Sequence, residues 1–301
     1  MRLSFVILLY LVCFSNSLLN PVVGNTDISR IVNGYEANIR EFPYQASLRR
    51  KGLTGSDQIF CGAVIISNRG ILTAAHCAQP FIKQPSSLQV VAGTSSRLTD
   101  GATFDVSQVY VHEDYSRTTL ENDIALLGTE IIITFNETIA PISIATEYFI
   151  IPGTEAIVTG FGATSYEGSS SSVLLAARVY IVSQETCSRT YLRVITIANG
   201  MVCASAKNLP QDVCQGDSGG PLVIGNYVVG IVSFGVGCGG QGYPGVYTRV
   251  NDLRTALAPA ICLHSVAFPF GGARVCVTIW RAAALRCASV PPSSRDHRIV
   301  Y

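Results

Sequence analysis

The chain contains the run Gly216-Asp217-Ser218-Gly219-Gly220, in which one serine is closely flanked by glycines. Glycine adopts backbone conformations that are closed to other residues, so the run predicts a tight, exposed turn that presents the serine hydroxyl. Asp, Ser and Gly also favour turns for backbone reasons alone, and an ordinary turn is therefore the alternative interpretation. A serine hydroxyl becomes a strong nucleophile only beside a base that is itself held by a third group. The catalytic hypothesis thus requires a histidine and a carboxylate elsewhere in the chain.

Two upstream motifs supply these partners. His76 lies in the sequence TAAHC, and Asp123 lies in the sequence NDIALL, at the mouth of an apolar run. His76 has two other interpretations, a structural histidine or a zinc ligand beside nearby cysteines. Asp105 and Asp114 also lie near enough in sequence to be the third group. The residues alone leave these alternatives open.

With these motifs in the order His, Asp, Ser, the chain resembles the trypsin-like serine endopeptidases of the chymotrypsin fold family. The resemblance covers about Ile31 to Thr255. It implies an all-β fold of two antiparallel six-stranded β-barrels with the active site in the cleft between them. In such a fold the first barrel provides His76 and Asp123, and the second barrel provides Ser218.

The resemblance also assigns catalytic roles to these residues. His76 takes the proton from Ser218 and returns it to the leaving amine, and Asp123 fixes the imidazole tautomer. Proton transfer of this kind contributes about 10²–10⁴-fold to the rate. The backbone N–H groups of Gly216 and Ser218 match the oxyanion hole of the family.

Composition and the amino end bound the class of protein. The formal net charge of +1 gives no basic surface of the kind that nucleic-acid binding needs. Arg2, followed by an apolar run from Leu3 to Phe14, predicts a secretory signal peptide within residues 1–24, cleaved somewhere between 17 and 24. The run is too short for a membrane span, which needs about 20 apolar residues. We therefore expect a secreted, extracellular protein that has no membrane or nucleic-acid partner.

An activation segment follows at residues 25–30. The boundary between Arg30 and Ile31 matches the site at which members of the family are cut. The resemblance implies that the new Ile31 ammonium inserts beside Asp217 and orders the oxyanion hole and the specificity pocket. A buried ion pair that lacks one partner costs about 3–5 kcal/mol, so the uncut precursor is expected to be nearly inactive.

The chain between the activation boundary and residue 255 carries short β-rich runs broken by Gly, Asn, Asp and Ser, and no helical period dominates. This spacing favours an antiparallel barrel or sandwich. The predicted strands include 63–66, 88–92 and 107–111 in the first half, and 155–160, 177–182 and 227–232 in the second.

Six cysteines fall where the family forms three disulfides. The pairs implied by the resemblance are Cys61 with Cys77, Cys187 with Cys203, and Cys214 with Cys238. The sequence alone cannot select them, because six cysteines allow 15 pairings.

The resemblance further implies specificity for Arg and Lys at the cleaved bond. Asp212 matches the acid at the base of the pocket, and a buried carboxylate selects a cationic side chain. Val213 stands where Ser or Ala is usual, and Phe234 stands where Trp is usual. The residues expected to bind substrate are Asp212, Val213, Ser233, Phe234, Gly235 and Gly245.

Several smaller expectations complete the site predictions. The sequence Asn136-Glu137-Thr138 is a glycosylation sequon, which in a secreted protein lies on the surface. The loop from Gly93 to Phe104 lacks a pair of glutamates, so we expect no calcium and no other metal or cofactor. The expected partners of a monomeric enzyme are protein or peptide substrates and protein protease inhibitors.

The resemblance fails after Thr255. The family closes with a helix, but Pro259 breaks a helix here, and residues 256–301 form an atypical tail with Cys262, Cys276 and Cys287. Of the 10 cysteines, nine remain once Cys13 leaves with the signal, so at least one is unpaired or bonds another chain. The tail is also the feature that favours an alternative interpretation, in which the chain is a secreted protease homologue that acts by binding without catalysis.

Overall fold

Short apolar stretches between turns form the strands of this protein. The computed structural model describes residues 34–52, 59–99, 101–145, 150–163, 168–206, 217–237 and 242–250, and the backbone of 274–275 and 288–289. The first strand, β1 (Tyr35–Glu36), is short and exposed. Among the described residues, no helix is long and apolar enough to cross a membrane.

Six antiparallel strands close into the first barrel, in the order β2-β3-β4-β7-β6-β5. In chain order they are β2 (Gln45–Arg50), β3 (Ile59–Ile65), β4 (Gly70–Thr73), β5 (Leu88–Ala92), β6 (Ala102–Val111) and β7 (Ala125–Thr129). Pairing of Ala46 in β2 with Ala92 in β5 closes the ring. The interior is filled by apolar side chains such as Leu48, Val90 and Leu126, each fully buried.

A second ring of six antiparallel strands follows, in the order β10-β11-β14-β13-β12-β9 and closed by the pairing of β9 with β10. In chain order these are β9 (Glu155–Gly160), β10 (Leu175–Val182), β11 (Met201–Ser205), β12 (Pro221–Ile224), β13 (Tyr227–Phe234) and β14 (Gly245–Arg249). The short strand β8 (Ser143–Ile144) pairs with β13, and β1 pairs with β10. In the tail, β15 (Arg274–Val275) pairs with β16 (Ala288–Ser289).

The two barrels pack against each other through apolar and polar contacts. Val228 and Ile231 of β13 belong to the same buried cluster as the core of the first barrel. The Thr159 hydroxyl donates to Gln45 Oε1 at 2.6 Å, and both side chains are buried. The prediction of an all-β fold with two six-stranded barrels is therefore confirmed.

In the described part of the chain, two short α-helices interrupt the strands. The four-residue helix α1 (Ala75–Ala78) carries His76, and α2 (Gln184–Tyr191) precedes β11. The sequence analysis did not anticipate α2, although its N-cap signal was available: Ser183 Oγ accepts a hydrogen bond from the Thr186 N–H.

Candidate active site

Ser218 lies on a tight turn at the start of the strand pair β12–β13. The Gly220 N–H donates to the Asp217 carbonyl oxygen at 2.8 Å, which closes the turn. Gly219 has φ +84°, a conformation that favours glycine. Its N–H donates to the Val232 carbonyl oxygen at 2.8 Å, so the turn is fixed to β13. Ser218 is partly exposed.

The Ser218 turn is also fixed to the first barrel. The Gly62 N–H of β3 donates to the Ser218 carbonyl oxygen at 2.8 Å, and Cys77 Sγ lies 3.7 Å from the same oxygen. A Cβ at Gly62 would lie 2.8 Å from the Gly220 nitrogen, and this approach therefore requires glycine. The residue that follows His76 thus contacts the residue that carries the candidate nucleophile.

His76 and Asp123 form a hydrogen-bonded pair across the first barrel. The His76 backbone N–H donates to Asp123 Oδ1 at 2.9 Å, and His76 Nδ1 lies 2.8 Å from Asp123 Oδ2. The Asp123 side chain is fully buried, whereas that of His76 is 32% exposed. Because a carboxylate only accepts hydrogen bonds, Nδ1 carries a proton, and in the neutral form of the imidazole Nε2 is then the acceptor. The arrangement can therefore make His76 a base with a defined tautomer.

The backbone before Asp123 is unusual. Asn122 has φ 54° and Leu120 has φ 56°, in a region where non-glycine residues are uncommon. The Asn122 side-chain amide donates to the Asp114 carbonyl oxygen at 3.1 Å, which helps to hold this conformation. Such outliers concentrate at functional sites, where the surrounding structure determines them.

Residues of the second barrel complete the environment of Asp123. The Ser233 hydroxyl donates to Asp123 Oδ2 at 2.6 Å, and the Thr248 hydroxyl donates to the Asp123 carbonyl oxygen at 3.0 Å. Burial raises the pKa of Tyr115, and the charge of Asp123 raises it further. The sequence analysis expected Ser233 to bind substrate, and it identified neither the Ser233 hydroxyl nor Thr248 as a partner of Asp123. Separations of 110 and 125 residues leave no sequence signal for these contacts.

The other two aspartates that the sequence left open lie elsewhere. Asp105 is a surface residue of β6 and pairs with Lys51 at 2.7 Å. Asp114 is exposed. The described geometry therefore brings Asp123, and neither Asp105 nor Asp114, into hydrogen-bond contact with His76.

Asp217 is fully buried directly before Ser218. Its Oδ1 accepts a hydrogen bond from the Gly162 N–H at 2.8 Å. A Cβ at Gly160 or Gly162 would overlap this carboxylate. The absence of side chains at these two positions therefore creates the space that Asp217 occupies.

Two disulfides are present among the described residues, and they join the cysteines expected from the resemblance. Cys61 bonds Cys77, and Cys187 bonds Cys203. Cys61, His76 and Cys77 lie close enough together to suggest a metal site. Because both sulfurs belong to a disulfide, neither is available as a thiolate ligand for zinc.

The substrate-binding residues are described only in part. Ser233 and Phe234 end β13, and Gly245 begins β14. Among the described residues, a Cβ at Gly235 would meet nothing within 4 Å. The predicted site residues that lie outside the described part of the chain are Arg30, Ile31, Asp212, Val213, Cys214, Gly216 and Cys238.

Comparison with known proteins agrees with the fold. The family model described as Trypsin matches residues 31–257. Trypsin 5G1 of Aedes aegypti is 41% identical over 226 residues, covering 75% of this chain and 82% of the relative. Trypsin delta of Drosophila melanogaster is 44% identical over 229 residues, covering 75% and 86%. Trypsin-1 of Astacus astacus is 40% identical over 229 residues, covering 73% and 95%.

The two barrels and these matches define a serine protease of the chymotrypsin fold. The chain belongs to the trypsin family.

Proposed function

We propose that this chain is the zymogen of a secreted, trypsin-like serine endopeptidase that hydrolyses peptide bonds after Arg and Lys. The observation that carries the proposal is the His76–Asp123 hydrogen bond of 2.8 Å, in which the Asp123 side chain is fully buried. The Ser218 carbonyl oxygen lies 3.7 Å from the sulfur of Cys77, the residue that follows His76. An imidazole oriented in this way is the base that a serine nucleophile requires.

In the proposed mechanism, Ser218 Oγ attacks the carbonyl carbon of the cleaved bond while His76 Nε2 takes the hydroxyl proton. His76 then gives this proton to the leaving amine, and an acyl-enzyme remains on Ser218. Water then attacks the acyl-enzyme while His76 again acts as the base, and the carboxylic acid product leaves Ser218. Asp123 stabilises the imidazolium at both stages.

The oxyanion of the tetrahedral intermediate would bind the N–H groups of Gly216 and Ser218. In support, the Ser218–Gly219 peptide is fixed on both sides, by Gly62 and by Val232. Among the described residues, no acceptor binds the Ser218 N–H. Losing one oxyanion donor costs roughly 2.7–4 kcal/mol of transition-state stabilisation.

Activation would follow cleavage between Arg30 and Ile31. The buried Asp217 carboxylate, in space left by Gly160 and Gly162, is a suitable partner for the new Ile31 ammonium. A buried carboxylate gains stability from a charged partner, and the pair would order the adjoining oxyanion loop.

Specificity for Arg and Lys would come from Asp212 at the base of the pocket. The trypsin names of the relatives support this assignment, as does the lack of any contact within 4 Å of a Cβ at Gly235 in the described part of the chain. Val213 supplies no hydroxyl to a lysine ammonium, whereas a guanidinium can bind a carboxylate directly and bidentately. We therefore propose a preference for Arg over Lys.

The remaining proposals concern processing and partners. They comprise a signal at residues 1–24, an activation segment at 25–30, a peptidase domain at 31–255 and an atypical tail at 256–301. Asn136 is exposed, and its Oδ1 accepts hydrogen bonds from the Thr138 N–H and hydroxyl, which supports glycosylation there. Secretion, a monomeric state and protein inhibitors as partners complete the proposal.

Hydrolysis of a small Arg ester by the full chain tests the proposal directly. The chain is cut after Arg30 with an immobilised protease that is then removed. We expect the cut protein to hydrolyse the ester, and the uncut protein, Ile31→Gly and Ser218→Ala to be nearly inactive. Equal rates before and after the cut would contradict the activation mechanism. A folded, cut protein that does not hydrolyse the ester would favour a binding function without catalysis.

Matched Arg and Lys esters test the pocket. We expect tenfold or greater preference for Arg, because a hydrogen bond to a charged group contributes roughly 1.5–3 kcal/mol. Val213→Ser should raise the Lys rate relative to the Arg rate. Cleavage after Phe or Tyr would overturn the role of Asp212.

A further inference from the structure

We propose that Arg50 selects substrates with an acidic side chain at the second residue after the cleaved bond; this inference rests on the proposed function. Arg50 is the last, exposed residue of β2. Its guanidinium carbon lies 5.1 Å from the centre of the Phe60 ring and 5.5 Å from that of Phe81. The two rings are 5.7 Å apart and tilted by 31°. Together Arg50, Phe60 and Phe81 form a cationic ledge.

A β-bulge places Phe60 in this ledge. Leu48 of β2 pairs with Cys61 of β3, but the next residue, Arg49, pairs with Ile59. Phe60 is therefore the extra residue, with no partner of its own on β2. Bulges of this kind redirect a side chain and are frequent beside active sites. Without the bulge, Phe60 would follow the regular alternation of the strand.

The ledge is connected to the candidate nucleophile by the Cys61–Cys77 disulfide and one non-covalent contact. Phe60 is followed by Cys61, which is bonded to Cys77 with 6.3 Å between the Cα atoms. Cys77 Sγ lies 3.7 Å from the Ser218 carbonyl oxygen.

The leaving part of the substrate must lie on the side of Ser218 that faces Cys77 and the first barrel. The acyl part is expected along the edge formed by Ser233 and Gly235, in the second barrel. His76, in the first barrel, delivers its proton to the leaving amine, so the leaving segment extends past His76 and Cys77. An extended peptide advances about 3.3 Å per residue. The first residue after the cleaved bond then lies beside the Cys61–Cys77 disulfide, and the second residue reaches Phe60 and Arg50.

The charge of Arg50 is available to such a peptide. Its neighbour Lys51 pairs with Asp105, and Arg49 donates to Gln89. Among the described residues, the contacts of the Arg50 guanidinium are with the two aromatic rings, and no carboxylate pairs with it. Stacking on a ring orients a guanidinium but leaves its N–H donors free for a carboxylate.

The experiment compares peptides that are cleaved between Arg and Ala and that differ only at the residue after Ala. This residue is Glu, Gln or Lys. The protein is the full chain cut after Arg30, as wild type, Arg50→Gln and Arg49→Gln. For the wild type at low salt we expect kcat/KM for Glu to exceed that for Gln by about two- to fivefold, the range of an exposed ion pair. Lys should be the poorest of the three.

The variants locate the effect. Arg50→Gln should abolish the preference for Glu, whereas Arg49→Gln removes the same charge one residue away and should retain it. Raising the salt to 1 M should shrink the preference, because the Debye length falls to about 3 Å. A wild type without the preference, or an Arg50→Gln protein that keeps it, would overturn the inference. If the wild type fails to hydrolyse an Arg ethyl ester, whose leaving group is ethanol, the proposed function itself fails.

Discussion

Two carboxylates of the first barrel have similar partners and very different surroundings. Asp123 is fully buried and accepts hydrogen bonds from His76 and Ser233. Asp105 is 39% exposed in its side chain and binds Lys51 and Gln89 on the surface. Water can replace the partners of Asp105, but it cannot reach Asp123. The comparison indicates that the fold fixes the Asp123 carboxylate in one position, as its proposed role requires, and leaves that of Asp105 in a weak surface contact.

The largest expected effect comes from Asp123→Asn. The amide presents an N–H₂ group to His76 and favours the wrong imidazole tautomer, so we expect kcat/KM on an Arg ester to fall by about 10⁴-fold. Asp105→Asn is the matched control and should stay within about twofold of wild type. Thermal unfolding of both proteins would establish that each is folded. A folded Asp123→Asn protein with activity within tenfold of wild type would remove Asp123 from the mechanism.

The second test concerns the other buried carboxylate, Asp217. Gly162→Ala should lower the free energy of unfolding by about 1–3 kcal/mol, because the new methyl group overlaps Asp217. At Gly235 a methyl group meets no described atom within 4 Å, and Gly235→Ala should change stability by less than about 0.5 kcal/mol. Denaturant titration of both variants measures the difference. Equal stabilities would show that the Asp217 site is not tightly packed.

An effect on stability of similar size is expected for Ser233→Ala. Its hydroxyl donates to Asp123 at 2.6 Å in a buried site, and a hydrogen bond to a charged group contributes about 1.5–3 kcal/mol to stability. Ser107 is an exposed serine whose hydroxyl donates to the Gly128 carbonyl oxygen at 3.1 Å, so Ser107→Ala is a suitable control. In denaturant titration we expect Ser107→Ala to lower the free energy of unfolding by less than about 1 kcal/mol. A greater loss for Ser107→Ala would reverse the contrast between buried and exposed sites.

These contacts also define what the sequence could predict. Strands β5 and β9 follow short apolar runs between turn residues, and they lie at the predicted positions 88–92 and 155–160. The turn at Ser218 follows from its glycines, which permit the positive φ of Gly219. Strands and turns of this kind depend on residues that are neighbours in the sequence, so they can be predicted without a structure.

Contacts between distant segments could not be predicted in the same way. Nothing near Ser233 indicates that its hydroxyl meets a carboxylate 110 residues earlier. The bulge at Phe60 depends on the pairing of β2 with β3, which a single strand does not reveal. Helix α2 is a different case, because Ser183 gave a cap signal that the dominant strand pattern obscured.

The smallest effect should be the acid dependence of Asp105. The hydrogen bond from Lys51, and then that from Gln89, lowers the pKa of this carboxyl below its ordinary value of 3.8. A lowered folded-state pKa means that the contribution to stability is complete well above pH 3.8 and is lost as the pH falls through the folded-state pKa. Solvent screening limits this contribution to below about 1 kcal/mol.

Unfolding free energies of wild type and Asp105→Asn, measured between about pH 7 and pH 2, would reveal this contribution. The advantage of the wild type should narrow towards acid and shrink in 1 M salt. An advantage that widens towards acid would contradict the direction of the pKa shift.

The central claim is that the buried Asp123 and His76 activate Ser218, and a fluorophosphonate that reacts with activated serines tests it most directly. The Ser218 oxygen would form a bond to phosphorus, fluoride would leave, and His76 would take the hydroxyl proton. Mass spectrometry of the cut protein should locate the label on Ser218, with slow labelling in Asp123→Asn and none at this position in Ser218→Ala. Absence of label from a folded, cut wild-type protein, or equal labelling rates in wild type and Asp123→Asn, would contradict the account.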